Sequence, residues 1–327
     1  MLNVDTGGAD RLALAVLAQY RMATTEQMHL VIAPGVRIEQ TRRRLAKLRD
    51  EGLVDRITLP RAGRTRVWFA TQYGVDVVSE WPELREWRPP RLVSDRTAAR
   101  LRVGHALVVT QTGQAFLQDA RQRGDVCRPL DWIPEVYHPL GNGEAVIPDA
   151  LLYYRRGGDG GEGGSMLRAF VEVDRATMGP ERLAAKLTAY ARLHDYVPAF
   201  VGRPRPRGAA ALPEESWRRR YARFPRLLFV LDGTGSTGIE TRIRALHATT
   251  TEVAGLHSLL HAVPVLAAPL VDILRDGPSA PVWRPIQDPE QRVSWMDTYR
   301  PTPAPSSPTA AAAPSWPARP GWGDQPR

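Results

Sequence analysis

The 327 residues carry 44 Lys and Arg against 35 Asp and Glu, a net charge of +9 with a pI of about 10.2, and that balance favours a polyanionic partner. Hydrophobic residues make up 43% of the chain, enough for sizeable cores, yet no apolar run is long enough to span a bilayer. The single cysteine, Cys127, excludes an internal disulfide and a cysteine-rich metal centre. The N-terminus lacks the basic-then-apolar order of a signal peptide. These features predict a cytoplasmic protein of two domains, without a membrane partner.

Residues 10–80 predict a compact unit. Asp10 is placed to cap a helix through Leu12, Val16 and Leu17. Thr24 and Thr25 open a second short helix with Met28, Leu30 and Val31, and Ala33-Pro34-Gly35 makes a turn. A third helix, 37–51, carries Leu45 and Leu48 inward and stops at Gly52. Strand 53–59, a tip at 60–64 and a return strand at 67–70 form a hairpin. A fourth helix starts near Gln72 and ends before Pro82. Helix, helix, turn, helix, hairpin is the order of a winged helix-turn-helix, assigned to residues 1–81.

Residues 82–95, rich in proline and charge, read as a linker. A long helix follows at 95–123, with Leu101, His105, Val108, Thr112 and Phe116 near one face. His105 on that apolar face reads as a core residue. From Trp132 the pattern turns α/β. Strands are expected at 132–137, 146–154, 167–174, 226–231 and 263–266. Gly141-Asn142-Gly143 makes a turn, and the glycine-rich 157–164 reads as a hairpin connection, since it lacks the Lys-Ser/Thr of a phosphate-binding loop. Helices are expected after Pro180 as far as His194, and at 237–249. Residues 203–213 form an Arg/Pro/Gly loop, and the Pro/Ala/Ser-rich tail at 300–327 is expected to be disordered. The second domain is therefore 96–299.

Two groups of residues carry chemistry. In the third helix, Arg37, Gln40, Thr41, Arg43 and Arg44 are candidates for DNA contact, because Arg and Gln read base edges in the major groove. Arg61, Arg64 and Arg66 sit where the hairpin would touch the phosphate backbone. In the second domain, Asp149 follows Pro148, and Glu172 and Asp174 alternate along one strand and so share a face. An adjacent antiparallel strand would bring Asp149 beside Glu172. The chain has only two lysines, Lys47 and Lys186, and Lys186 falls on the helix after these acids. A lysine is a compact, deprotonatable point charge that arginine does not replace. Asp149, Glu172, Asp174 and Lys186 are the candidate catalytic residues, with Asp149 and Glu172 as ligands for Mg²⁺ or Mn²⁺. Arg175 and Arg182 are candidates for phosphate contact nearby.

The run Ile147-Pro148-Asp149-Ala150 followed by Glu172-Val173-Asp174 resembles the PD-(D/E)XK nuclease superfamily. Asp174 stands where that pattern has its lysine, and Lys186 on the next helix would supply it, as in some members. With the winged helix, the run Glu172 to Thr177 and the Lys186-Leu187-x-x-Tyr190 helix, the chain is similar to the replication-relaxation family of plasmids and mobile elements over about residues 10–290. The resemblance implies an α/β (α+β) protein with a winged helix and a restriction-endonuclease-like core. It implies a role in replication or DNA topology, either as a metal-dependent endonuclease or nickase or as an inactive nuclease-fold scaffold that regulates replication or transcription. The expected partners are double-stranded DNA, replication or conjugation proteins and a second copy of the chain. A tyrosine relaxase is disfavoured because its clustered histidines are missing: the seven here are scattered.

Overall fold

The computed structural model describes residues 8–59, 65–84, 96–157, 164–198 and 214–297. The hairpin tip with Arg61 and Arg64, most of the expected linker, the 203–213 loop and the tail lie outside the described residues.

The N-terminal part is built from α1 (Gly8–Tyr20), β1 (Ala23–Thr24), α2 (Thr25–Ile32), α3 (Ile38–Asp50), β2 (Val54–Thr58), β3 (Arg66–Ala70) and α4 (Gln72–Ser79). Thr24 caps α2 in a reciprocal capping box with Gln27, which satisfies two otherwise orphaned backbone N–H groups. Glu51 is the C-cap of α3, and Gly52 follows it at φ +74°, in the left-handed region that favours glycine. Asp10 lies inside the first turn of α1 rather than at its cap, and binds Arg44 and Lys47 of α3. The strand β1, absent from the sequence reading because it has only two residues, pairs with β3. It completes an antiparallel sheet in the order β1-β3-β2.

The helix α5 (Arg96–Arg123) leads into β4 (Trp132–Pro134), β5 (His138–Gly141), β6 (Glu144–Val146), β7 (Ala150–Arg156), β8 (Ser165–Asp174), α6 (Glu181–Asp195), β9 (Arg226–Leu231), α7 (Ser236–Glu252), α8 (His257–Ala262), β10 (Val265–Pro269), α9 (Leu270–Asp276) and β11 (Arg284–Pro285). A six-stranded mixed sheet runs β11-β10-β9-β8-β7-β4, with β8, β9 and β10 parallel and the outer strands antiparallel to their neighbours. The expected strand 146–154 is divided: Val146 ends β6, and Pro148 and Asp149 occupy the break before β7. A proline has no N–H for a sheet ladder, so the interruption falls where Pro148 stands. The strand expected at 132–137 stops at Pro134, and Glu135 takes a positive φ of 54°.

Alternation along β8 divides the core. Ala169, Val171 and Val173 pack with Phe116 and Ala120 of α5, while Phe170 packs with Leu183 and Leu187 of α6 and Ile243 of α7. The first of these clusters also contains Leu14 and Leu17 of α1, so N-terminal helices and central sheet share one core. Polar ties follow the same join. Gln19 donates to the carbonyls of Leu130 (3.0 Å) and Trp132 (2.6 Å), Gln27 to that of Leu107 (3.0 Å), and Thr110 to that of Met22 (2.7 Å). Buried carbonyls need such partners, because an unpaired one costs about 1–3 kcal/mol.

Trp132, fully buried, lies on α5 at Gly113, where an added Cβ would come within 2.6 Å of the indole ring. Gly113→Ala is therefore expected to lower stability by about 1–3 kcal/mol through overpacking, despite alanine's helix advantage of about 1 kcal/mol. Chemical denaturation of the two proteins measures this, and an unchanged midpoint would contradict the packing argument.

Candidate functional site

Antiparallel pairing of Ala150 with Val171 brings Asp149 beside Glu172 at one end of the β7–β8 ladder. Asp149 is fixed there by its own carboxylate, whose Oδ2 accepts the Val173 N–H at 2.7 Å. Glu172 is only 2% exposed and faces α6. Its Oε1 accepts from the Tyr190 hydroxyl at 2.7 Å, and its Oε2 from the Lys186 ammonium. Lys186 and Tyr190, four residues apart, share a face of α6 and so reach the same carboxylate. The Lys186 Nζ also lies 3.7 Å from Asp149 Oδ2. The lysine therefore bridges the two acids.

The electrostatics follow from this arrangement. Burial pushes the Glu172 carboxyl up to about 7, an effect that the Lys186 charge only partly offsets. Burial also opposes ionisation of Asp149, but the His105 hydrogen bond and the Lys186 charge outweigh it and hold the group below its ordinary range. For Lys186, burial acts against the charge, while Glu172 and Asp149 more than compensate and raise its pKa. Lys186 is thus a fixed cation between one firmly ionised carboxylate and one that burial drives towards neutrality.

Two residues belong here that sequence reasoning placed elsewhere or did not single out. His105 is 45% exposed, not a core residue, and its Nε2 lies 3.0 Å from Asp149 Oδ1. The helical face that looked apolar turns towards the sheet's end at this position. Arg242 on α7 is 8% exposed and donates through Nε to Asp174 at 2.5 Å. Asp174 therefore does not join the Lys186 cluster: its second oxygen accepts the Ala176 N–H, and Arg242 ties the strand end to α7. Nothing local in the sequence marks Arg242, since the contact spans 68 residues. A cavity of about 200 Å³ lies at this end of β8, lined by His105, Asp149, Asp174, Arg175, Arg182 and Lys186 among others. It opens beyond the carboxyl end of a parallel strand, where α/β sheets place ligands.

The donors have the right chemistry for a hard divalent cation, but their arrangement does not fit one. Both oxygens of Glu172 and both of Asp149 already accept hydrogen bonds or face His105, and the Lys186 ammonium occupies the space between them. Among the described residues no group of three or more His, Cys, Asp and Glu is set to hold a metal ion.

In α3, Arg37, Gln40 and Arg43 are exposed. Thr41 is not on that face: it is fully buried and its hydroxyl meets His29 Nδ1 at 3.1 Å. Arg44, half-buried, turns towards α1 and binds Asp10 at 2.8 Å. Arg66 stands exposed at the start of β3.

The replication-relaxation family matches residues 14–199. The chain belongs to that family. Membership associates it with the replication or relaxation of mobile elements. The matched span includes α2, α3 and the Asp149–Glu172–Lys186 cluster. No curated protein and no solved structure matches the chain. Among the described residues, no helix is long and apolar enough to cross a membrane.

Removing Lys186 leaves a buried carboxylate without its cation, which costs about 3–5 kcal/mol in comparable buried pairs. Lys186→Met should therefore lose stability on that scale, and adding Glu172→Gln should recover most of it. Equilibrium unfolding of the single and double variants gives the coupling. Additive losses would show that the two side chains do not depend on each other.

Proposed function

We propose that this protein binds double-stranded DNA through α3, in the manner of a winged helix, and acts in the replication or relaxation of plasmid or mobile-element DNA. The observation that carries the reading is the outer face of α3. Arg43 projects opposite the buried stripe Thr41–Leu45–Leu48, with Gln40 one turn before it and Arg37 at the helix start. None of these three has an acidic side-chain partner among the described residues, whereas Arg42 pairs with Glu39 and Arg44 with Asp10. Unpaired cations beside an amide that can bond adenine are what a major-groove helix offers. Arg66 enters the hairpin, whose tip would meet the phosphate backbone. The order α1-β1-α2-α3-β2-β3 and the net charge of +9 support the same reading.

A second reading, a metal-dependent endonuclease or nickase with a restriction-endonuclease-like core, is favoured by one specific observation. Asp149, Glu172 and Lys186, far apart in sequence, converge beside an open cavity. Loading Mg²⁺ or Mn²⁺ on Asp149 and Glu172 would require Lys186 to leave Glu172, so the arrangement described here suits a scaffold more directly than a loaded nuclease. Without cleavage, the same core serves as a rigid platform for DNA recognition.

Arg43→Ala with Arg37→Ala should weaken duplex binding at every sequence and reduce the slope of log affinity against log salt by about 1 per lost phosphate contact. Arg44→Ala should instead act mainly on stability, because its partner is Asp10. Fluorescence anisotropy across a salt series separates the two, and unchanged binding in the Arg37/Arg43 variant would move recognition away from α3. For the second reading, supercoiled plasmid is incubated with Mg²⁺ or Mn²⁺ and wild type, Asp149→Ala or Lys186→Ala. Nicking by wild type alone supports the enzyme, and equal nicking by all three ends it.

A further inference from the structure

Each carboxylate at this end of the sheet has its own partner: His105 at Asp149, Lys186 at Glu172 and Arg242 at Asp174. Two more guanidinium groups, those of Arg175 and Arg182, line the same cavity and have no acidic partner among the described residues. Arg175 is not a loose surface side chain. Its Nε is buried without a hydrogen-bond partner. Its guanidinium lies across Gly104 of α5, where an added Cβ would come within 2.6 Å of Nη1. Its main chain is packed under Gly233, which has a positive φ of 76°. A cation held in this way has lost its conformational freedom before any ligand arrives, so less is lost on binding. Arg182 makes one polar side-chain contact, from Nη1 to the Met178 thioether at 2.9 Å, and sulfur there is a weak acceptor. The cavity's volume of about 200 Å³ has room for a tetrahedral oxyanion and several waters.

We infer that Arg175, with Arg182, forms a seat for a phosphate oxyanion at the end of β8, and that Gly104 is a glycine because the Arg175 guanidinium must lie against α5. Planar guanidinium groups take phosphate oxygens two at a time, which suits this geometry better than a point charge does. The inference deepens the proposed function, resting on it for the source of the phosphate, a DNA backbone. Free phosphate shares the same chemistry, and the experiment separates the two.

The full chain is titrated with a DNA duplex by anisotropy over a salt series, and separately with inorganic phosphate by thermal shift. Wild type is compared with Arg175→Gln, Arg175→Lys and Gly104→Ala, and circular dichroism checks the folding of each. Arg175→Gln should lower duplex affinity by about 10-fold or more, in line with loss of a charged hydrogen bond, and reduce the salt slope by about 1. Gly104→Ala should reproduce that loss with Arg175 still present, and Arg175→Lys should recover part of it. If DNA affinity is unchanged but the phosphate-dependent shift disappears in Arg175→Gln, the seat is for free phosphate. If wild type does not bind DNA yet shows a phosphate shift that depends on Arg175, the DNA reading fails and the seat stands. If Arg175→Gln, folded, matches wild type in both titrations, the inference is overturned.

Discussion

A carboxylate sealed inside the sheet–helix interface is the constraint on which the rest of the site depends. Glu172 sits on the central strand with 2% exposure, and a buried charge must find a partner or be neutralised. Both things happen. Burial drives Glu172 towards its neutral form, and Lys186 and Tyr190 supply two donors from consecutive turns of α6. Those contacts fix the register of α6 against β8. The same register sets the Lys186 ammonium 3.7 Å from Asp149 and places Arg182, one turn earlier, on the cavity wall. The cavity's chemistry is thus a consequence of how one acid was accommodated.

The second structural fact is continuity. The helix α5, 28 residues long, receives Gln27 of α2 on its Leu107 carbonyl and presents His105 to Asp149 two residues earlier. Leu14 and Leu17 of α1 belong to the same hydrophobic cluster as Val171 and Val173 of β8. The helices that carry the exposed arginines and the sheet against which α6 sets Lys186 therefore share a core. Under the proposed function, DNA held on α3 and phosphate held at Arg175 would bear on one packed body.

Much of the fold was legible because its signals are local. The threonines that open α2, the glycine after α3, the apolar run of β9 and the Gly141-Asn142-Gly143 turn act within a few residues, and each led to the element found. Errors arose where partners are distant. His105 read as core because helical periodicity reports a face without saying what lies opposite it. Thr41 and Arg44 read as outward from their neighbours in a basic run, yet His29 and Asp10 claim them from 12 and 34 residues away. Asp174 shares a face with Glu172, as alternation requires, but Arg242 takes it into a separate pair.

The sequence by itself determined that β8 would carry acids on one face, that Asp149 could stand beside Glu172, and that one of two lysines would follow on the next helix. Strand period and composition are properties of the chain alone. Only the tertiary structure decided which partner each acid receives and which arginines, among the described residues, are left without an acid. Packing of α5, α6 and α7 around the strand end brings groups 14, 44 and 68 residues apart into contact, and charge pairing at that range depends on three-dimensional distance and burial, which no spacing along the chain encodes.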